Sequence, residues 1–301
     1  MKTLVVITGP TAVGKTELSL HMAKLLSSPV ISADSRQMYR QMSIGTAAPT
    51  PEELAQAEHL FVHNLDLEDY YSAAMYETDV LKELSDLFLK QDFALMSGGS
   101  MMYVDAVCNG IDDMPTVDDE VRSMMRQRLS DEGPEALLAE LRLVDPEYYQ
   151  IADLKNTKRI LHALEVYYMT GKPFSSFRTG VKKQRPFRIV KIGLNREREV
   201  LFQRINRRVD QMMEQGLMDE ARRLYPYRHL NSLNTVGYKE LFNVIDGTWP
   251  LPMAVERIKK NTRVYAKKQL TWMKKDPDIH WVSLDGISLE EAVGRIKTII
   301  F

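Results

Sequence analysis

The residues Gly9-Pro10-Thr11-Ala12-Val13-Gly14-Lys15-Thr16 follow the spacing G-x-x-x-x-G-K-[ST]. In such a loop the glycines let successive backbone N–H groups turn toward an anion, and the following helix N-terminus adds partial positive charge. Lys15 is spaced to reach the outer phosphates, and the Thr16 hydroxyl can join a Mg²⁺ shell. This chemistry is a grip on a diphosphate, and it does not require the phosphates to belong to ATP. A second candidate is Asp34, in Ala33-Asp34-Ser35-Arg36-Gln37-Met38-Tyr39. A carboxylate there can take a proton from an attacking nucleophile. Arg36 offers a fork of donors, and Gln37 an amide suited to a base edge. A third is Met96-Ser97-Gly98-Gly99-Ser100, which lacks the aspartate many NTPases use there to orient Mg²⁺.

These groups need a scaffold, and the hydrophobic pattern supplies one. Leu4–Thr8 is a short apolar run ending at the glycine loop, and Thr16–Leu26 reads as the helix after it. Further strands are expected at Val30–Ala33, Leu60–Leu65, Phe93–Met96, Arg188–Leu194 and near Ile279–Val282, with a helix over Ala73–Lys90. Strand, helix and strand at these intervals predict an α/β fold, a P-loop NTPase-like parallel sheet flanked by helices. Asp34 then follows a strand, on the edge where open parallel sheets bind ligands. After Gly110 the character changes to helices over Val117–Asp131, Pro134–Val144 and Asn156–Thr170. The expected organisation is a catalytic core of residues 1–113 and 186–301, interrupted by an all-helical domain of residues 114–185. The C-terminal half is mainly helical, at Glu197–Gln215, Met218–Tyr225, Tyr238–Val244 and Pro252–Lys275.

The chain of 301 residues carries 40 basic and 41 acidic side chains, which taken alone argues against nucleic acid. Resolved by segment, the charge separates. Residues 155–208 hold fifteen Lys and Arg against three acids, a net of +12, and residues 257–275 hold eight and none, +8. The remainder carries −21. On a helical wheel Lys260, Arg263, Lys267, Thr271 and Lys274 share one face, with Ile258, Tyr265, Ala266, Trp272 and Met273 opposite. A basic row on a helix anchored by an apolar stripe is a surface aimed at phosphates. One cysteine, Cys108, fits a reducing compartment. With neither a signal peptide nor a membrane span expected, the location is read as cytoplasmic and the protein as a monomer.

Taken in order, these motifs resemble the tRNA dimethylallyltransferases, also called isopentenyl-tRNA transferases. The match runs through the phosphate loop, Asp34–Tyr39, Ile44-Gly45-Thr46-Ala47, Tyr71-Ser72-Ala73, Gly98-Gly99-Ser100, and Asn156-Thr157-Lys158-Arg159. It continues through Ala163–Val166 with Gly171-Lys172-Pro173, Arg207–Met212, Val236-Gly237-Tyr238-Lys239-Glu240 and Lys268–Trp272. The resemblance implies transfer of a dimethylallyl group from dimethylallyl diphosphate to the exocyclic N6 amine of an adenosine. That adenosine lies 3′ of the anticodon, in tRNAs reading codons that begin with U. Asp34 would be the general base, with Thr11, Lys15, Thr16 and Arg208 completing the catalytic set. Gly9 to Thr16 would hold the diphosphate, with Mg²⁺ at Thr16, and the target base would be flipped out of the anticodon loop. Contacts to the tRNA anticodon stem-loop would come from Asp34, Ser35, Arg36, Gln37 and Ser100 in the core. Arg122, Lys158, Arg159, Ile160, Leu161 and His162 would supply them in the inserted domain. Asn234, Gly237, Tyr238 and Lys239 would contribute, as would Lys267, Lys268, Gln269, Thr271, Trp272 and Lys274. Ala48 and Ser100-Met101 depart from the family pattern, which commonly has lysine and Thr-Gly there.

Two other functions use part of the same residues. A P-loop nucleoside or small-molecule kinase explains the loop and Asp34, but leaves both basic segments without a role. An RNA-binding nucleotide switch explains the basic segments, but gives Asp34 no chemistry.

Overall fold

The first strand, β1 (Thr3–Thr8), is buried at every position. Its Leu-Val-Val-Ile run has no polar face, as expected of a strand covered on both sides. The computed structural model describes residues 1–301. After β1 come α1 (Lys15–Leu26), β2 (Val30–Ser32), α2 (Pro51–Leu54), β3 (His59–Leu60), α3 (Ala73–Lys90), β4 (Phe93–Gly98) and α4 (Met101–Asn109). Next are α5 (Asp119–Val144), α6 (Pro146–Ile151) and α7 (Thr157–Thr170). The chain then returns to the sheet with β5 (Arg188–Asn195) and continues through α8 (Arg198–Glu214), α9 (Leu217–Leu224), α10 (Tyr238–Ile245), α11 (Leu251–Met273), β6 (Ile279–Ser283) and α12 (Leu289–Ile300). The six strands pair in the order β3-β2-β4-β1-β5-β6, and every pairing is parallel. The fold is therefore the expected α/β, P-loop NTPase-like sheet flanked by helices.

The chain forms two compact units, residues 1–109 with 184–301, and residues 110–183. In the first, one face of the sheet packs Met22, Leu26, Leu201, Ile205 and Ile296, and the other packs Tyr76, Val80, Leu84, Tyr103 and Val107. A separate helical core joins α8 to α11 around Val209, Leu217, Leu241 and Ile258, with Met42 from the loop after β2. The second unit has its own core of Met125, Leu137, Leu141, Ile160 and Leu164. In it α5 bends at Gly133, whose φ of 81° is non-helical and is followed by Pro134. The break expected there is found: α5 consists of two helical stretches, one running directly into the other across Gly133. Asp145-Pro146 starts α6, which lies between two of the expected helices: the Asp145 carboxylate accepts from the Tyr148 N–H, and proline occupies the first turn. The expected third strand shrinks to His59–Leu60 because the chain turns sharply after it, with Phe61 and His63 at positive φ. No helix is long and apolar enough to cross a membrane.

Candidate active site

The phosphate loop leaves β1 and turns back into α1 with Ala12 at φ 64° and Gly14 at φ 119°. At φ 119° a Cβ is strained, so glycine is required at 14. The loop is braced from several sides. Lys15 Nζ donates to Gly9 O at 2.9 Å and Pro10 O at 3.0 Å. Arg204 Nε donates to Ala12 O at 2.8 Å and Arg196 Nε to Val13 O at 2.9 Å. The Thr11 N–H is taken by Gln269 Oε1 at 2.9 Å, and the Val13 N–H points back to Pro10 O at 3.3 Å. Among the expected diphosphate donors, the Thr11 and Val13 amides are thus used inside the protein. The open turn at the start of α1, with Gly14, Lys15 and Thr16, presents its N–H groups to an anion.

Asp34 follows β2, and its Oδ1 accepts from Arg36 N at 2.9 Å and Gln37 N at 3.4 Å. The strand beside it explains Gly98-Gly99-Ser100. A Cβ on Gly98 would lie 2.1 Å from Ala33 O, and one on Gly99 would lie 2.5 Å from Gln269 Nε2. Ser100 then braces the Asp34 turn, donating its N–H to Ala33 O and accepting the Ser35 N–H on its hydroxyl at 2.9 Å. Close backbone approach, enforced by two glycines, is what seats Asp34 next to the phosphate loop.

Two cavities meet at this point. One, of about 460 Å³, is lined by Lys15, Thr16, Arg204, Arg207 and Gln211. The other, of about 610 Å³, is lined by Arg36, Ile205, Val209, Met212, Leu217 and Asn261 among others. Thr11, Asp34, Arg208 and Tyr265 line both. Burial, and then the Arg208 guanidinium, push Lys15 down to about 8, with Asp34 opposing. Burial also lowers Arg208, which Asp34 counteracts. Arg208 reaches toward Thr11 Oγ1 at 3.4 Å. Desolvated cations beside an open helix N-terminus form an environment that favours an anion. Burial pushes the Tyr265 hydroxyl up to about 12, with Asp34 as the next cause.

This arrangement, an anion cradle joined through one carboxylate to a second, partly apolar chamber, is matched by a family model described as IPP transferase over residues 37–276. The chain belongs to the IPP transferase family. The chain is 60% identical, over 94% of each sequence, to tRNA dimethylallyltransferase 1 of Phocaeicola vulgatus. It is 60% identical over 93% of the chain and 91% of the relative to tRNA dimethylallyltransferase 1 of Bacteroides thetaiotaomicron. Among solved structures, it resembles the full-length tRNA isopentenylpyrophosphate transferase of Bacillus halodurans at TM-score 0.74 and 35% identity, covering 100% of this chain and 96% of that one. A eukaryotic dimethylallyltransferase acting on tRNA matches at TM-score 0.83 and 25% identity, over 100% of this chain and 80% of that one. An IPP transferase is a transferase, as the sequence reading expects.

In this IPP transferase the expected catalytic residues Thr11, Lys15, Thr16, Asp34 and Arg208 line the joined cavities. Ser35, Ser100, Asn234, Gly237 and Lys239 line the larger one. Lys267, Lys268, Thr271, Trp272 and Lys274 are exposed on α11 and just past its end, and Lys158 and Arg159 are exposed on α7 of the second unit. Leu161 and His162 are half-buried on α7, and Arg122 is half-buried on α5, 3.8 Å from Asp119.

Four expected RNA contacts have other occupations. Tyr238 is fully buried and donates its hydroxyl to Glu220 at 2.6 Å. Gln269 is buried, with Oε1 on Thr11 and Nε2 donating to Gly99 O at 2.8 Å. Ile160 is a core residue of the second unit. Gln37 spends both amide hydrogens on Thr46 O at 3.2 Å and Ala47 O at 2.9 Å, which leaves no donor for a base edge. The apolar stripe of α11 also differs from the expected one. Ala254, Ile258, Ala266, Gln269 and Met273 are buried, while Tyr265 is 39% and Trp272 41% exposed. Gln269 takes a position on the buried face, Tyr265 faces the joined cavities beside it, and Trp272 is exposed at the margin of that face. Tyr265 and Arg204 are site residues that the sequence reading missed. Tyr265 had been assigned to the buried face, and Arg204 stands outside the motif at Arg207–Met212.

Proposed function

We propose that this chain transfers a dimethylallyl group from dimethylallyl diphosphate to the N6 amine of the tRNA adenosine 3′ of the anticodon, in tRNAs reading codons that begin with U. The observation that carries this reading is Asp34 at the junction of the two cavities, facing the phosphate cradle on one side and the larger chamber on the other. The diphosphate sits at the α1 N-terminus against Lys15, Arg204 and Arg208, and the adenine comes through the larger chamber. The amine nitrogen forms a bond to C1 of the dimethylallyl group as the C1–O bond breaks. Diphosphate leaves with the bonding pair, and the amine proton passes to the Asp34 carboxylate. An adenine amine is a weak nucleophile because its lone pair is delocalised, so loss of its proton to a nearby carboxylate matters. The cationic cradle stabilises charge that grows on the leaving diphosphate during bond breaking.

The donor set here fits Mg²⁺ supplied with the diphosphate. The Thr16 hydroxyl lies in the cradle with Asp34 and Glu53 on the same cavity wall, and no group of three or more metal-ligating side chains forms a dedicated cage. Thr16 would hold the ion, and bound Mg²⁺ neutralises the leaving group. The exposed Lys267 of the basic row on α11, Lys274 at its C-cap and the neighbouring Lys268 fit contacts to the phosphates of the anticodon stem-loop.

The deciding experiment is mass spectrometry of tRNA nucleosides after incubation of the protein with dimethylallyl diphosphate, Mg²⁺ and unmodified tRNA. A gain of one isoprene unit on adenosine 3′ of the anticodon is expected. Unmodified adenosine there, with phosphate transfer from ATP to a small acceptor instead, would sink the proposal in favour of a kinase.

A further inference from the structure

The loop after β2 that forms one wall of the larger chamber is held from outside by a buried carboxylate. Glu220, on α9, is 2% exposed. Its Oε2 accepts from Ser43 N at 3.2 Å and Ile44 N at 2.9 Å, and its Oε1 accepts from Gly45 N at 2.8 Å and Tyr238 Oη at 2.6 Å. Three consecutive backbone N–H groups converge on one carboxylate, the geometry of an anion nest filled by a side chain. Tyr238 closes it. A Cβ on Gly45 would come within 2.6 Å of the Tyr238 ring and hydroxyl, so glycine lets the loop lie against that ring.

From this nest a continuous set of contacts leads to Asp34. Gly45, Thr46 and Ala47 line the chamber. The Thr46 and Ala47 carbonyls accept the two amide hydrogens of Gln37. The Gln37 backbone N–H lies 3.4 Å from Asp34 Oδ1, beside the Arg36 N–H on the same oxygen. Gln37 O in turn accepts from His63 N at 3.0 Å.

From this geometry we infer that Glu220 is a positioning residue for the transfer reaction. By locking the 43–47 backbone it fixes the chamber wall and, through Gln37, the direction in which the Asp34 carboxylate points. The inference rests on the proposed prenyl transfer for its kinetic consequence, but its structural half stands without it. Glu220 lines neither cavity. It acts on the reacting groups only through the loop.

Two variants of the full-length protein test this. Glu220→Gln keeps the shape but sets an amide NH₂ against a backbone donor. Tyr238→Phe removes one of the four donors and leaves the carboxylate in place. Hydrogen exchange by mass spectrometry is expected to speed up across residues 43–47 and across 34–37 in both, more in the first. The kcat for transfer to tRNA is expected to fall about tenfold or more in Glu220→Gln, as a misaimed reacting group predicts, with pyrophosphate Kd shifted less than about threefold. Faster exchange confined to 43–47 with wild-type kcat would overturn the inference. A parallel loss of pyrophosphate affinity and of protection throughout the chain would also overturn it, by reducing Glu220 to general stability. Should Glu220→Gln not fold, Tyr238→Phe decides by the same readouts. A wild-type protein that transfers no dimethylallyl group refutes the proposed function, and the exchange pattern still decides the positioning.

Discussion

The side-chain oxygen of Gln269 accepts the backbone N–H of Thr11 at 2.9 Å, across 258 residues of chain. The same amide donates to Gly99 O at 2.8 Å. One buried side chain on the helix that carries the basic row therefore ties together the phosphate loop and the turn that seats Asp34. The Thr11 amide hydrogen is thus used inside the protein, while its hydroxyl lies 3.4 Å from Arg208 Nη1.

Gln269→Leu removes both bonds at nearly constant volume. It leaves the buried Gly99 O without its Gln269 partner, at roughly 1–3 kcal/mol, and releases the part-buried Thr11 N–H. Chemical denaturation should show that loss, and pyrophosphate affinity should fall with it. Wild-type stability in this variant would remove Gln269 as a strut.

Asp34→Asn keeps the side chain's shape and abolishes its capacity to take a proton. Turnover on tRNA should drop by about a hundredfold to ten-thousandfold, the usual range for a general base. Pyrophosphate binding, measured by calorimetry, should stay within a few-fold of wild type. Retained turnover would assign the proton to another acceptor.

Lys15 provides a pH dependence. In the free protein its amine is held near 8, mostly by burial, and a bound diphosphate raises it again. The protonated form binds the anion, so its contribution is fully present below about 8 and is lost as pH rises from there toward the bound-state value. Pyrophosphate affinity should therefore weaken above pH 8. Calorimetry in buffers of different ionisation enthalpy should detect proton uptake on binding near and above that pH. Affinity flat from pH 7 to 10 would contradict this.

Lys267→Ala and Lys274→Ala remove exposed charges from the basic row on α11 and at its C-cap. Each should weaken tRNA binding and lower the slope of log K against log[salt] by about one. Pyrophosphate affinity should not move. An unchanged salt slope in both would place the RNA on another face.

The architecture was largely legible in the sequence because apolar runs ending at glycine or before charged turns have one physical solution, a parallel sheet with its loops on one edge. The helix over Ala73–Lys90 has in the structure the bounds its periodicity predicts. The α4 helix was not legible, because Met101–Asn109 is apolar on most sides and follows glycines that read as loop. Lys15, expected from the loop spacing, Asp34, expected from its place after a strand, and Arg208, implied by the resemblance, are brought together at the joined cavities. The site was not legible where a polar residue serves another backbone: Gln37, Tyr238 and Gln269 have the composition of ligand contacts but are used as internal braces. Periodicity also put Tyr265 and Trp272 inside, since it counts apolarity and cannot foresee that a glutamine takes the inner position. Glu220 had no signal at all, because a buried carboxylate in a charged helix looks like any solvated one.

The phosphate loop follows the first strand, yet most of what holds it is made much later. β1 is flanked by β4 and β5, and the loop is braced by Arg196, Arg204 and finally Gln269. During synthesis at about 5–20 residues per second, the loop therefore leaves the ribosome tens of seconds before its last brace. A nascent chain carries the phosphate motif before the side chains that brace it. Gln269 is made with the helix that bears the basic row, so the loop's last brace and that row emerge together.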